Sequence, residues 1–139
     1  MVIVDTTVWI DYFHGRDNPE TDWLESCLDH DRLGLTTIIL SEILEGLSDE
    51  KTAKLVEADL RQFQIFEASS ISPAVQAAKN YRALRRRGKT VRKTIDVFIA
   101  TFCIEGQHSL LHRDRDFDAF KELLGLSVVH PWPGVTALA

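Results

Sequence analysis

The sequence has no apolar run that approaches the roughly 20 residues needed to cross a membrane. Its first apolar run, Val2–Val4, ends at Asp5 and is too short for the hydrophobic part of a secretion signal. These two absences lead us to expect a soluble protein of the cytoplasm. A chain of 139 residues has the usual size of one domain, so we expect a single domain over residues 1–139.

Cysteine is scarce. The two cysteines, Cys27 and Cys103, lie in apolar helical contexts and lack the Cys-x-x-Cys spacing of a metal or redox site. The sequence therefore favours buried free thiols over a zinc site or a disulfide framework.

Acidic residues are missing from one segment, residues 68–95, although the whole chain carries a net charge of −5. Eight basic residues lie in this basic segment: Lys79, Arg82, Arg85, Arg86, Arg87, Lys89, Arg92 and Lys93. All 21 acidic residues lie elsewhere. A basic segment on an acidic body is the electrostatic footprint of a polyanion-binding protein. The alternative is a solvated helix face with no partner.

The spacing of apolar residues predicts short strands that alternate with helices. Strands are predicted at residues 2–4, 33–36, 63–66, 109–111 and 127–129. Helices are predicted at residues 6–13, 19–30, 37–47, 49–61, 72–87, 94–105 and 117–124. This alternation predicts an α/β fold, a three-layer α/β/α sandwich with a mainly parallel central sheet. In such folds the ligand site lies beyond the carboxyl ends of the strands.

Several acidic residues fall at strand ends or within apolar helix faces, where a lone carboxylate is costly to bury. Asp5 directly follows the first strand, although a carboxylate there could simply cap the next helix. Glu42 lies at the boundary of an apolar helix face, whereas Glu45 is predicted to face solvent. Apolar neighbours predict burial of Asp96, and the alternative is a first-turn position with Thr94 as the cap.

Two further acids, Asp114 and Asp116, follow the strand predicted at residues 109–111. Asp116 could merely cap the following helix, so Asp114 is the stronger candidate. Acids that converge in a partly dry cleft cannot all stay ionised without cations, and all-oxygen ligation suits Mg²⁺ or Mn²⁺. Together with the basic segment, the acids indicate phosphodiester chemistry, in which the ion activates a water for attack.

The acidic blocks together resemble a known family. Residues 2–12 (VIVDTTVWIDY), Ser41-Glu42, residues 96–100 (DVFIA) and residues 111–117 (LHRDRDF) look like a PIN-domain ribonuclease, and more narrowly like a VapC toxin. The resemblance covers essentially the whole chain. It implies a Rossmann-like α/β/α sandwich, a Mg²⁺-dependent endoribonuclease that acts on RNA, a homodimer, and neutralisation by a VapB-type antitoxin.

The resemblance also assigns roles to individual residues. It implies that the catalytic and metal-binding acids are Asp5, Glu42, Asp96 and Asp114. It implies that Asp116 is an auxiliary acid that also binds metal, and that Thr7 is the hydroxyl after the first acid. His112 is a departure, because many relatives carry Thr or Ser there. Support of the fourth acid by a hydroxyl is then missing, although a neutral imidazole could donate one hydrogen bond.

The basic segment supplies the candidate RNA contacts. Helical spacing allows two stripes against phosphate, either Arg82 with Arg86 or Arg85 with Lys89, and Arg92 is a further candidate. We expect single-stranded or looped RNA as the substrate, because its phosphates and bases are accessible.

Other residues have structural interpretations. Trp9, Tyr12 and Phe13 are predicted to pack in the core or in a dimer interface, Asp11 to face solvent or support its helix, and Trp132 to anchor the terminal segment.

Two alternatives to the nuclease stay open at this stage. The first is a catalytically silent PIN module that binds RNA or a partner. The second is a receiver-type phosphoacceptor domain, whose site needs two adjacent acids after the first strand and a lysine at a late strand end. The sequence offers Asp5 alone after its first strand and no lysine in its last one.

Overall fold

A five-stranded sheet forms the centre of the computed structural model, which describes residues 1–29 and 32–131. The strands are β1 (Val2–Val4), β2 (Leu33–Thr36), β3 (Gln64–Phe66), β4 (Ser109–Leu111) and β5 (Ser127–Val128). They lie in the order β3-β2-β1-β4-β5, and every neighbouring pair is parallel. The predicted parallel sheet is thus confirmed.

Helices connect the strands and cover the sheet, which gives the predicted α/β/α sandwich. They are α1 (Thr6–Phe13), α2 (Pro19–Cys27), α3 (Thr37–Glu45), α4 (Glu50–Leu60), α5 (Ile71–Arg86), α6 (Thr94–Gly106) and α7 (Asp118–Leu124). A short 3₁₀ helix, Arg115–Phe117, precedes α7. None of the described helices is both long and apolar enough to cross a membrane.

The sheet register brings two loops to the same edge. Val4 of β1 lies opposite Leu111 of β4, and the backbone N–H of Asp5 donates to the Leu111 carbonyl across 2.9 Å. The residue after β1 and the loop after β4 therefore leave the sheet side by side. On the other side of β1, Thr36 ends β2 and caps α3 by accepting from the backbone N–H of Ile39.

The core confirms the structural interpretation of the aromatic residues of α1. Trp9 is 1% exposed and its ring lies 6.0 Å from Phe13 and 5.2 Å from Phe63 between centroids. Cys27 and Cys103 are buried free thiols, as predicted. Trp132, predicted to anchor the terminal segment, lies outside the described residues.

The structure differs from one predicted helix end and from two capping roles that the sequence had left open. The second helix, predicted to reach residue 30, ends at Cys27. Thr94 does not cap α6, because the helix begins at Thr94 itself and Lys93 takes the cap position without a side-chain hydrogen bond. Asp116 does not cap α7. Asp114 instead accepts from the backbone N–H of Asp116 and caps the 3₁₀ helix.

Candidate metal and active site

Asp5 is fixed at the end of β1 by the start of α1. One of its oxygens, Oδ2, accepts both the backbone N–H of Thr7 at 3.1 Å and the Thr7 hydroxyl at 2.7 Å. The side chain is only 3% exposed. Burial raises the pKa of Asp5 to about 6, against the opposing effect of the Thr7 hydrogen bonds. Asp5 is thus both a helix cap and a costly buried carboxylate with one oxygen still free of these bonds.

Glu42 approaches Asp5 from α3. The hydroxyl of Thr6 donates to Glu42 Oε1 at 2.7 Å, which ties this helix to the first residue of α1. The negative charge of Glu42 contributes to the raised pKa of Asp5. As predicted, Glu42 is half-buried whereas Glu45 on the same helix is exposed.

Asp96 lies in the first turn of α6 and is 4% exposed, which confirms its predicted burial. Within the described residues, its Oδ2 atom has no hydrogen-bond partner. The nearest cation is the Lys93 ammonium, 3.6 Å away. Burial raises the pKa of Asp96 to about 7, and repulsion from Asp5, Asp114 and Glu42 raises it further against the attraction of Lys93. The four predicted acids therefore share one electrostatic environment.

Asp114 stands on the loop between β4 and the 3₁₀ helix. Its Oδ1 accepts from the backbone N–H of Asp116 at 2.9 Å, and its Oδ2 accepts from Lys93 Nζ at 3.3 Å. Although burial acts in the opposite direction, these contacts hold the pKa of Asp114 below its usual value. Asp114 is therefore ionised at neutral pH.

Thr7 links the Asp5 and Asp114 loops. Its hydroxyl donates to Asp5 and accepts from the backbone N–H of Arg113 at 3.1 Å. The Arg113 guanidinium then reaches two helices, with Nε 3.4 Å from Asp11 on α1 and Nη1 3.0 Å from Glu20 on α2. Asp11 consequently does not simply face solvent, as one interpretation had it, but anchors the loop that carries Asp114.

Three of the acids come close enough to share one ion. Single oxygens of Asp96, Asp114 and Asp116 all lie within 4.8 Å of one another. Arg92 approaches the same cluster, with Nη2 3.3 Å from both oxygens of Asp116. The structure thus places a candidate RNA contact directly on a candidate metal ligand.

The other candidate RNA contacts occupy two places. Arg82 and Arg85 border a groove between α5 and α6, where the Arg85 guanidinium lies 5.5 Å from the centre of the Tyr81 ring. Lys89 borders a second cavity that Asp116 also lines. Arg86 is exposed at the end of α5. Arg82 and Arg85 thus share one groove, and the phosphate stripes of Arg82 with Arg86 or Arg85 with Lys89 stay predictions.

Three residues of the site were not individually predicted from the sequence: Thr6, Lys93 and Arg113. The signal for Lys93 was present, because a residue three positions before Asp96 shares its helix face. Thr6 and Arg113 adjoin Asp5 and Asp114 in sequence, but their partners lie on other elements. Only the tertiary fold reveals those contacts.

Comparison with known proteins shows the family to which the chain belongs. The family model described as PIN domain matches residues 2–123. Ribonuclease VapC11 of Mycobacterium tuberculosis is 30% identical over 128 residues, which cover 91% of this chain and 96% of that protein. The chain therefore belongs to the PIN-domain family, and the curated relatives that it matches include proteins named as VapC ribonucleases. This membership sets the receiver-type alternative aside.

Solved structures share the fold at lower sequence identity. VapBC2 from Rickettsia felis, bound to a promoter DNA fragment, superposes with a TM-score of 0.74 at 16% identity and covers 93% of this chain and 98% of that one. A toxin–antitoxin complex from Klebsiella pneumoniae gives 0.66 at 22% identity and covers 95% and 98%. These likenesses extend over almost the whole chain.

Proposed function

We propose that this protein is a metal-dependent endoribonuclease and the toxin of a toxin–antitoxin pair. The observation that carries the proposal is the convergence of Asp96, Asp114 and Asp116 on one point, next to the buried Asp5. Buried carboxylates whose charges repel one another are costly unless a cation joins them. The 30% identity to ribonuclease VapC11 supports RNA as the substrate.

The donor set fits a hard divalent cation. Three carboxylates each offer an oxygen, and Asp96 Oδ2 is buried with no hydrogen-bond partner in the described part of the chain. Mg²⁺ takes carboxylate oxygens and phosphate oxygens while it keeps several waters, and Mn²⁺ accepts the same ligands. We therefore propose Mg²⁺, with Mn²⁺ as a substitute, held by Asp5, Glu42, Asp96, Asp114 and Asp116.

When bound, the cation would lower the pKa of a water and neutralise charge on the phosphate. The protein's own residues set the positions of its acids. Thr7 orients one oxygen of Asp5, and Thr6 orients one oxygen of Glu42. The backbone N–H of Asp116 holds one oxygen of Asp114. The acids thus stand preorganised, which reduces the cost of arranging them during the reaction.

RNA would approach along the basic segment. Arg82 and Arg85 border the groove between α5 and α6, and Lys89 and Arg92 lie beside Asp116. Binding of RNA phosphates along this path would place the RNA strand at the acidic cluster. Such electrostatic binding weakens as the salt concentration increases. We expect the enzyme to act in the cytoplasm, where cellular RNA is available.

We also propose a homodimer and a VapB-type antitoxin as partners. The likeness to the VapBC2 structure and to the Klebsiella toxin–antitoxin complex supports the antitoxin partner, whereas the homodimer is proposed from the family resemblance alone. The catalytically silent module is the competing proposal, and the departure at His112 is its main support. However, the acid set is complete and His112 itself contacts the Asp114 backbone.

Cleavage of cellular RNA by the purified, antitoxin-free protein tests the proposal. We expect cleavage with Mg²⁺, none with EDTA, and none from Asp96→Asn or Glu42→Gln. The matched controls are Glu105→Gln on α6 and Glu45→Gln on α3, both exposed, which should cleave like the wild type. Folded protein that binds Mg²⁺ yet cuts no cellular RNA would favour the silent module.

A further inference from the structure

The side chain of Lys93 lies among the acids proposed to hold the metal. Its Nζ atom is 3.6 Å from Asp96 Oδ2 and 3.3 Å from Asp114 Oδ2. Asp96 Oδ2 is the buried oxygen without a hydrogen bond among the described residues. Among the described residues, the Lys93 ammonium is thus the one positive charge that lies between the carboxylate of Asp96 on α6 and that of Asp114 on the loop after β4.

Lys93 is held there by charge more than by packing. It occupies the cap position of α6, its side chain makes no capping hydrogen bond to the helix backbone, and that side chain is 53% exposed. A four-carbon stem with rotatable bonds can leave the carboxylates at little structural cost. The charge of Lys93 is therefore both present at the acids and free to move.

We infer that Lys93 is a built-in counter-ion that competes with the divalent cation for the oxygens of Asp96 and Asp114. This inference rests on the proposed metal dependence. Without metal, the ammonium offsets the repulsion between the acids. With metal, two cations are drawn to the same oxygens and repel each other, so the lysine must withdraw. Lys93 thus lowers the affinity for metal while it preserves the acidic cluster in the empty state.

Metal affinity gives a readout that does not depend on cleavage. Binding of Mn²⁺ to the EDTA-stripped full-length protein can be followed by electron paramagnetic resonance of the free ion. We expect Lys93→Gln to bind Mn²⁺ about tenfold more tightly than the wild type, a change of about 1.4 kcal/mol. Lys93→Arg keeps the charge and should stay close to the wild type. Equal or weaker binding by Lys93→Gln would overturn the inference.

The control variant is Lys79→Gln. Lys79 belongs to the same basic segment and is exposed, but it borders a groove with Glu105 and Gly106 at the far end of α6. Lys79→Gln removes the same charge as Lys93→Gln, so a general effect of net charge would tighten Mn²⁺ binding in both of these variants. Tightening of equal size in Lys79→Gln would therefore contradict a local role for Lys93.

Thermal unfolding gives a second test, which remains informative if Lys93→Gln folds poorly without metal. In EDTA, Lys93→Gln should melt below the wild type, and Mn²⁺ should raise its melting temperature by more than it raises that of the wild type. Recovery of folding on addition of Mn²⁺ would support the inference in the same way. An Mn²⁺-induced rise no larger than that of the wild type would oppose it.

Asp96→Asn separates this inference from the proposed function. If Asp96→Asn and the wild type bind Mn²⁺ equally, or if neither binds it, the proposed metal site itself fails and the role of Lys93 falls with it. If Asp96→Asn weakens binding but Lys93→Gln leaves it unchanged, the site stands and only the counter-ion role is refuted.

Discussion

The Nδ1 atom of His112 accepts a hydrogen bond from the backbone N–H of Asp114, with 3.0 Å between the two nitrogens. The sequence had suggested that a neutral imidazole could support Asp114 by donating a bond, and the structure reverses that direction. Burial lowers the pKa of His112, which keeps the ring neutral and Nδ1 available as an acceptor. His112 thus takes the acceptor role that a Thr or Ser hydroxyl could fill.

Substitution at His112 tests this role. His112→Thr should keep most of the cleavage rate, because a hydroxyl oxygen can accept from the same N–H. His112→Leu should lose roughly fivefold or more, since one lost hydrogen bond costs about 1 kcal/mol. Initial cleavage rates would be compared with those of His14→Leu, an exposed control. A wild-type rate in His112→Leu would show that the contact does not position Asp114.

The raised pKa values of Asp5 and Asp96 predict how the stability of the metal-free protein depends on pH. Both acids bind a proton more tightly in the folded state, so their contribution to the free energy of unfolding falls as pH rises from about 4 to about 7. His108 and His112, whose pKa values burial lowers, act in the opposite direction. A comparison with Asp96→Asn is therefore needed to isolate Asp96.

Urea unfolding in EDTA at pH 5 and pH 8 makes that comparison. Asp96→Asn should be more stable than the wild type at pH 8, because it removes a buried charge, and this advantage should shrink at pH 5. Each unit of pKa corresponds to about 1.4 kcal/mol, so the advantage should amount to a few kcal/mol. The account of Asp96 would be contradicted by a variant that is less stable than the wild type at pH 8.

Arg113 should affect cleavage more than stability. Its side chain is 39% exposed, so loss of its pairs with Asp11 and Glu20 should cost no more than about 1 kcal/mol. Because Arg113 anchors the loop that carries Asp114, Arg113→Ala should slow cleavage by roughly tenfold or more. Arg16→Ala removes another cation from Asp11 without touching that loop and serves as the control. Equal rates in the two variants would refute the anchoring role.

Gly106 should matter for stability alone. A Cβ atom there would lie 2.6 Å from the His108 ring, which itself stacks on Phe102 with 5.2 Å between centroids. Gly106→Ala should therefore destabilise the protein by about 1–3 kcal/mol in urea unfolding, with the cleavage rate of the folded protein unchanged. His108→Ala in the same chain should recover part of the loss. No recovery would mean that the strain arises elsewhere.

Local sequence patterns predicted most of the fold. The segments that form β1, β2 and β4 are short and mostly apolar, and their alternation with helices favours a parallel sheet. The buried Asp96 was predicted in the same way, from the apolar residues around it. These features depend on neighbours in sequence, which is why composition and spacing reveal them.

Contacts between distant elements were beyond such patterns. The hydrogen bond from Thr6 to Glu42 depends on how α1 and α3 pack together, and the ion pair of Lys93 with Asp114 depends on how the start of α6 packs beside the loop after β4. The direction of the His112 hydrogen bond depends on a side-chain rotamer. Sequence therefore pointed to the acids of the candidate site, whereas their supporting contacts required the three-dimensional structure.

The measurement that tests the central claim most directly is the chemistry of the RNA ends after cleavage with Mg²⁺. Attack by an activated water leaves a 5′-phosphate and a 3′-hydroxyl, because the 2′-hydroxyl of the RNA takes no part. We predict these ends, and we predict that they disappear with EDTA and in Asp96→Asn. Products that end in a 2′,3′-cyclic phosphate would contradict the proposed role of the acidic cluster.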